Sequence, residues 1–221
     1  MKSIIIILLI SFTFSLKKIG PDSLQKLLKD PKTFVIDTRN LAIAEKGYIP
    51  KSLLLPPEYL KTYINKLIPK KYALVIISDK SNYYKTIKEI QSFGYKIFGF
   101  SFYEDWVKAK YKSNVISYDK ISVEKINDIK KSNEVILDVR EKNEYKETGI
   151  IKDSQLVSLS TFTPKMSKVE KTRTVHILCK GGKRAVFALT YLEKFGYNNK
   201  LKVLEGGMNK VIQVKYPLEK Y

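Results

Sequence analysis

Apolar positions along this chain fall into short compact runs separated by amphipathic stretches. Residues 134–139, 174–178 and 202–204 are largely aliphatic and predict strands. Between the last two, Val186, Leu189, Leu192 and Phe195 recur at helical spacing and predict a helix over 185–195. Gly196 supplies a left-handed stop for it. A further helix is predicted over 121–131, where Ile121, Ile126 and Ile129 stand amid Lys, Glu and Asp. Strand, helix, strand in this order implies a parallel sheet with helices on its faces, an α/β architecture. Ligands in such sheets collect beyond the carboxyl ends of the strands. That directs attention to the loops after Val139, Leu178 and Leu204.

The pattern occurs twice. Phe34-Val35-Ile36-Asp37-Thr38-Arg39 matches Val135-Ile136-Leu137-Asp138-Val139-Arg140, and residues 72–78 match 173–179. Gly47-Tyr48-Ile49 parallels Gly149-Ile150-Ile151, and Phe93-Gly94-Tyr95 returns as Phe195-Gly196-Tyr197. A period this long means duplicated domains and not a solenoid of short repeats. The chain of 221 residues is long enough for two such cores. The units are expected over 19–111 and 117–221, with the linker near 110–117.

Ahead of them, Met1-Lys2 precedes an unbroken apolar run from Ser3 to Leu16, followed by Lys17-Lys18. A basic start, a short apolar run and small residues at Thr13 and Ser15 predict an export signal over 1–16 and a periplasmic protein, with an uncleaved anchor as the alternative. No cysteine lies close enough to suggest a lipid-anchored form. The net charge of +19 invites a nucleic-acid reading. Against it, only four of the 41 basic residues are Arg, and Lys is spread evenly along the chain. Base and phosphate readout favours clustered guanidinium groups interleaved with aromatics, so a nucleic-acid partner is not expected.

Candidate chemistry lies in the second half. Cys179 is the sole cysteine, so it cannot form an intramolecular disulfide, and in an exported protein it reads as a reactive thiol. It opens the loop Cys179-Lys180-Gly181-Gly182-Lys183-Arg184, between a predicted strand and a predicted helix. Two adjacent glycines are expected to turn successive amides inward at positive φ, forming an anion nest around the sulfur. The helix N-terminus and the cations of Lys180, Lys183 and Arg184 add positive potential. Together these favour thiolate and should draw the thiol below its free pKa of roughly 8.5. A buried, inert cysteine would leave the Gly-Gly pair and the three cations unexplained.

With this loop in view, the second half resembles the rhodanese family, and the whole chain resembles tandem rhodaneses of the thiosulfate sulfurtransferase type in which only the C-terminal copy keeps the cysteine. The loop fits the family's Cys-x-x-Gly-x-Arg pattern. Asp138-Val139-Arg140-Glu141 with Glu144-Tyr145 and Gly149-Ile150-Ile151 fits its first signature, and Leu204-Glu205-Gly206-Gly207 with the tail 216–220 fits its last. Ile150, Val211 and Ala185 stand where the family often has His, Trp and Ser. The resemblance implies two rhodanese-like domains, the first inactive, and a bracing role for Asp138 and Arg140 at the active loop. Asp37 and Arg39 recur in the half without a cysteine, which makes that role mainly structural. Four residues separate Cys179 from Arg184. This is the shorter loop of the sulfurtransferases, one residue less than in their phosphatase and arsenate-reductase relatives.

The expected activity is sulfur transfer through a Cys179 persulfide. The donor would be an anion such as thiosulfate or a polysulfide, and the acceptor cyanide, a small thiol or a protein thiol partner. No metal or organic cofactor is expected. A non-catalytic persulfide carrier serving a partner enzyme is the alternative. His176, the only histidine, lies mid-strand three residues before Cys179 and is expected to project to the opposite face. Gly206-Gly207 is read as a tight turn beside the active loop.

Overall fold

The structure, a computed structural model, describes residues 16–197 and 199–221. Apart from Leu16, the segment read as an export signal lies outside the described residues. Among the described residues no helix is long and apolar enough to cross a membrane.

The first unit runs β1 (Lys17–Lys18), α1 (Pro21–Lys29), β2 (Thr33–Asp37), α2 (Leu41–Ala44), β3 (Leu53–Leu54), α3 (Pro57–Leu67), β4 (Ala73–Ser78), α4 (Tyr83–Ser92), β5 (Ile97–Phe102) and α5 (Tyr103–Lys108). The second repeats it with β6 (Asp119–Ile121), α6 (Ile126–Lys131), β7 (Val135–Asp138), α7 (Lys142–Thr148), β8 (Gln155–Leu156), α8 (Phe162–Lys165), β9 (Val175–Leu178), α9 (Lys183–Lys194), β10 (Leu201–Leu204) and α10 (Gly207–Gln213). Each unit holds one five-stranded sheet, in the orders β1-β5-β4-β2-β3 and β6-β10-β9-β7-β8. Every strand pairing is parallel. The α/β class and the pair of helix-flanked parallel sheets are therefore as the repeat implies.

Three details differ from the sequence reading. Ile121 pairs in β6 instead of opening a helix, and α6 starts only at Ile126. A strand of three residues is too short to show a period of two, so its single apolar residue fits the pattern of the helix that follows. The first sheet already includes Lys17–Lys18 as its edge strand, ahead of residue 19. The segment 110–117 is not a free linker, because Ile116 exchanges backbone hydrogen bonds with Tyr48 at 2.8 and 3.0 Å. In the second unit Ile150 and Glu219 form the equivalent bridge. Each unit thus closes by pinning its trailing chain to the residue after a glycine.

The two sheets share a core. One continuous apolar cluster joins Phe34, Leu54, Leu60 and Ile76 of the first unit to Leu137, Ile177, Cys179 and Val186 of the second. The outer faces carry separate clusters, one around Trp106 and one around Leu178 and Met208. Helix α9 lies in the middle, and every residue from Ala185 to Leu192 is buried. A helix buried all round is packed on both sides. One side meets its own sheet and the other meets the first unit, where Leu54 N donates to Thr190 Oγ1 at 3.1 Å. The helix that leads out of the cysteine loop is therefore clamped by both units.

Candidate active site

Cys179 follows the last residue of β9 and is fully buried. Its loop turns into α9 through Gly182, whose φ of 96° lies in the left-handed region. That turn brings the Gly182 amide to donate to Sγ at 3.1 Å. Gly181 keeps an ordinary φ, so one glycine makes the turn, not both. Space does not demand glycine at 181 either, because a Cβ there would meet only the side-chain nitrogen of Asn209, at an ordinary contact distance of 3.8 Å.

The loop is held from beneath by the start of α10. Met208 N donates to Cys179 O at 2.8 Å, and Asn209 N donates to Lys180 O at 3.0 Å. This contact is possible because Gly206 and Gly207 have φ of 74° and 57° and no side chain. A Cβ on Gly207 would lie 2.2 Å from Cys179 O. The pair makes the tight turn read from the sequence, and its closeness to the loop is what demands glycine.

Arg184 does not face outward as a free cation. Its guanidinium makes a two-pronged pair with Glu144 of α7, at 2.5 and 2.7 Å. Both side chains are largely buried. Burial alone would lower the pKa of Arg184, but the Glu144 hydrogen bond and the neighbouring sulfur hold it above its ordinary value. Burial likewise acts to raise Glu144, and Arg184 outweighs it, so the carboxylate stays below its usual range. Glu144 is also half of a capping box on α7, accepting from Glu141 N at 2.9 Å. Of the three loop cations, only Lys180 and Lys183 remain exposed.

The structure does not bring Asp138 and Arg140 to the sulfur. Arg140 is 1 % exposed and grips the Asp138 carboxylate through Nε and Nη2. Its remaining donors go to Thr148 Oγ1 at 2.6 Å and Gly149 O at 2.8 Å. The pair ties the end of β7 to the end of α7 and reaches the active loop indirectly, through the Val139 amide on Leu178 O and through Arg140 Nη1 on Glu144 O, whose carboxylate holds Arg184. Asp37 and Arg39 repeat the arrangement, down to the hydrogen bond with Gly47 O. Both pairs brace a strand end.

His176 is fully buried and hydrogen-bonded through Nε2 to Glu134 at 2.6 Å, away from Cys179. In the first unit Ser78 ends β4 where Cys179 follows β9, with Asp79 next to it. Among the described residues no group of acidic, His or Cys side chains is arranged to hold a metal.

A cleft of about 290 Å³ opens over Cys179. Its walls include Lys180, Lys183, Arg184 and Asn209 from the second unit and Tyr59 and Tyr63 from α3 of the first. Phe187 of α9 holds the two tyrosines in place, with ring centroids 5.1 and 6.0 Å away. Lys183 Nζ sits 5.7 Å from the Tyr59 ring. The sequence reading assigned no role to Glu144, Asn209, Tyr59 or Tyr63. The Glu141-x-x-Glu144 box was a visible signal for Glu144. No local pattern pointed to the tyrosines, whose role depends on how the units meet.

Residues 122–213 match the family model described as a rhodanese-like domain, as the resemblance of the second half implied. No curated protein sequence matches the chain. Among solved structures, a rhodanese-related protein from Thermoplasma volcanium is 26% identical, covering 47% of this chain and 100% of that one, with a TM-score of 0.43. The reduced CoADR-RHD of Bacillus anthracis is 27% identical over 46% of this chain and 18% of that one, with a TM-score of 0.42. A thiosulfate sulfurtransferase from Pseudomonas aeruginosa is 14% identical over 92% of this chain and 43% of that one, with a TM-score of 0.41.

Proposed function

We propose that this chain, with its rhodanese-like domain at residues 122–213, is a sulfurtransferase whose nucleophile is Cys179. The observation that carries the reading is the loop itself. A lone thiol sits at the carboxyl end of a central strand, takes the Gly182 amide at 3.1 Å, and faces an open cleft in an otherwise buried setting.

The Cys179 thiolate attacks the outer sulfur of a sulfane donor such as thiosulfate. A sulfur–sulfur bond forms to Cys179, the donor's own sulfur–sulfur bond breaks, and sulfite departs with the electron pair. The resulting persulfide anion lies within the loop, where the Gly182 amide and the start of α9 favour negative charge. A thiophilic acceptor, either cyanide or a thiol, then attacks the outer sulfur and regenerates the thiolate. Lys180 and Lys183 draw the anionic donor to the cleft mouth, whereas Arg184 with Glu144 shapes the loop. The step from Cys179 to Arg184 is the shorter loop, sized for one added sulfur and too tight for a phosphate ester. With the apolar segment at 3–16 acting as an export signal, the reaction would take place in the periplasm.

Steady-state thiocyanate formation from thiosulfate and cyanide tests the reading. Wild-type protein should turn over many times and Cys179→Ser not at all. A single sulfur taken up with no turnover would replace this reading with that of a persulfide carrier.

A further inference from the structure

Every tyrosine buried as deeply as Tyr63 gives its hydroxyl to a protein acceptor. Tyr48 donates to Glu193, Tyr95 to Ile68 O, Tyr145 to Asp138 O, Tyr191 to Thr163 Oγ1 and Tyr197 to Met166 O. Tyr63 is 7 % exposed and lines the cleft over Cys179, yet among the described residues no acceptor takes its proton. The Arg184 guanidinium acts on the phenol through its charge and as a hydrogen-bond donor. Guanidinium and phenol O–H are both donors, so Arg184 faces only the oxygen lone pairs. The O–H is left to the cleft. The ring is buried but its hydroxyl opens on the cleft, so a ligand seated there can accept from it in place of water.

The ring is fixed in place by Phe187 and by Tyr59, whose centroid is 6.4 Å away. Burial holds the Tyr63 pKa above its ordinary value against the opposing pull of Arg184. The hydroxyl therefore keeps its proton at neutral pH and acts as a donor, not as a base. Because Glu144 already pairs with Arg184, the Tyr63 hydroxyl adds a donor beside Lys180 and Lys183, which line the same cleft.

We propose that Tyr63, supplied by the unit without a cysteine, is a specificity-determining residue of the site, its hydroxyl donating to a sulfonate oxygen of donors of the thiosulfate class. The inference rests on the sulfurtransferase reading. As the Cys179 sulfur bonds to the outer sulfur of the donor, the donor's sulfur–sulfur bond breaks and sulfite leaves with the electron pair. Negative charge grows on the sulfonate oxygens, and the hydrogen bond strengthens in step while the proton stays on Tyr63. A polysulfide donor presents only sulfur, a weak acceptor, and gains little from the same hydroxyl.

The test is Tyr63→Phe in the full chain, with persulfide formation followed by intact mass using thiosulfate and, separately, inorganic polysulfide. The variant keeps the ring and loses a hydroxyl that donates to no protein acceptor among the described residues, so the packing on Phe187 is retained. The second-order rate with thiosulfate should fall about ten- to a hundredfold, the effect of one hydrogen bond to a charged group. The rate with polysulfide should not change. Equal rates with thiosulfate in the two proteins, or the same loss with both donors, would overturn the proposal and leave the sulfurtransferase reading standing. Wild-type protein that takes sulfur from neither donor would overturn both.

Discussion

Glu193 joins the two units and should make their docking depend on pH. It lies near the end of α9 and meets the hydroxyl of Tyr48, a fully buried residue of the first unit, at 2.8 and 3.0 Å. Among the described residues no basic group acts on its charge. Burial therefore pushes its carboxyl up from 4.5 to about 7, although the Tyr48 hydrogen bond pulls the other way. The folded state prefers the protonated acid, so the contribution of Glu193 to stability is present in full below about pH 4.5. It is lost as the pH rises to about 7. At roughly 1.4 kcal/mol per unit, the loss is about 3 kcal/mol. Glu193→Gln cannot ionise but can still accept from Tyr48. In urea titrations, the variant and the wild type should have similar stability near pH 4.5. By pH 8 the variant should be more stable by about 3 kcal/mol, on the order of 10 °C in Tm for a chain of this size. A difference between the two that stays constant with pH would refute the reasoning.

Other perturbations test the site. Glu144→Ala leaves the Arg184 guanidinium buried and unpaired, and chemical denaturation should show a loss of about 3 kcal/mol. Removing both partners should recover part of it, and a double-mutant cycle without coupling would contradict the pairing. Gly207→Ala places a Cβ 2.2 Å from Cys179 O, so the loop must move and the rate of sulfur uptake should collapse. Gly196→Ala is its control: the φ there is 79° with open space around it. It should cost about 1–2 kcal/mol in a thermal melt and leave sulfur uptake unchanged.

Features local in the chain were legible in the sequence. The duplicated Asp-x-Arg strands and the cysteine loop each occupy a few consecutive residues, and the parallel α/β architecture followed from their order. The two-residue strands β3 and β8 were not legible, because a strand that short has no periodicity. Helix α9 was legible in existence but not in environment. Its apolar stripe at Val186, Leu189 and Leu192 accounts for one packed face, whereas Phe187, Thr190 and Tyr191 are buried as well because the first unit covers the other. The site divides the same way. The Cys179 turn is sequential, but the pairing of Glu144 with Arg184 spans 40 residues. The Tyr63 wall crosses from one unit to the other, and such contacts exist only once the shared core has formed. The sequence shows that Arg184 adds positive charge at the loop, but not which carboxylate the folded chain brings to it.

The most direct measurement of the central claim is the intact mass of the protein after exposure to thiosulfate and removal of small molecules. Wild-type protein should gain the mass of one sulfur atom and lose it again on addition of cyanide, and Cys179→Ser should gain nothing. A wild-type protein whose mass does not change with thiosulfate, polysulfide or any other sulfane donor would contradict the account.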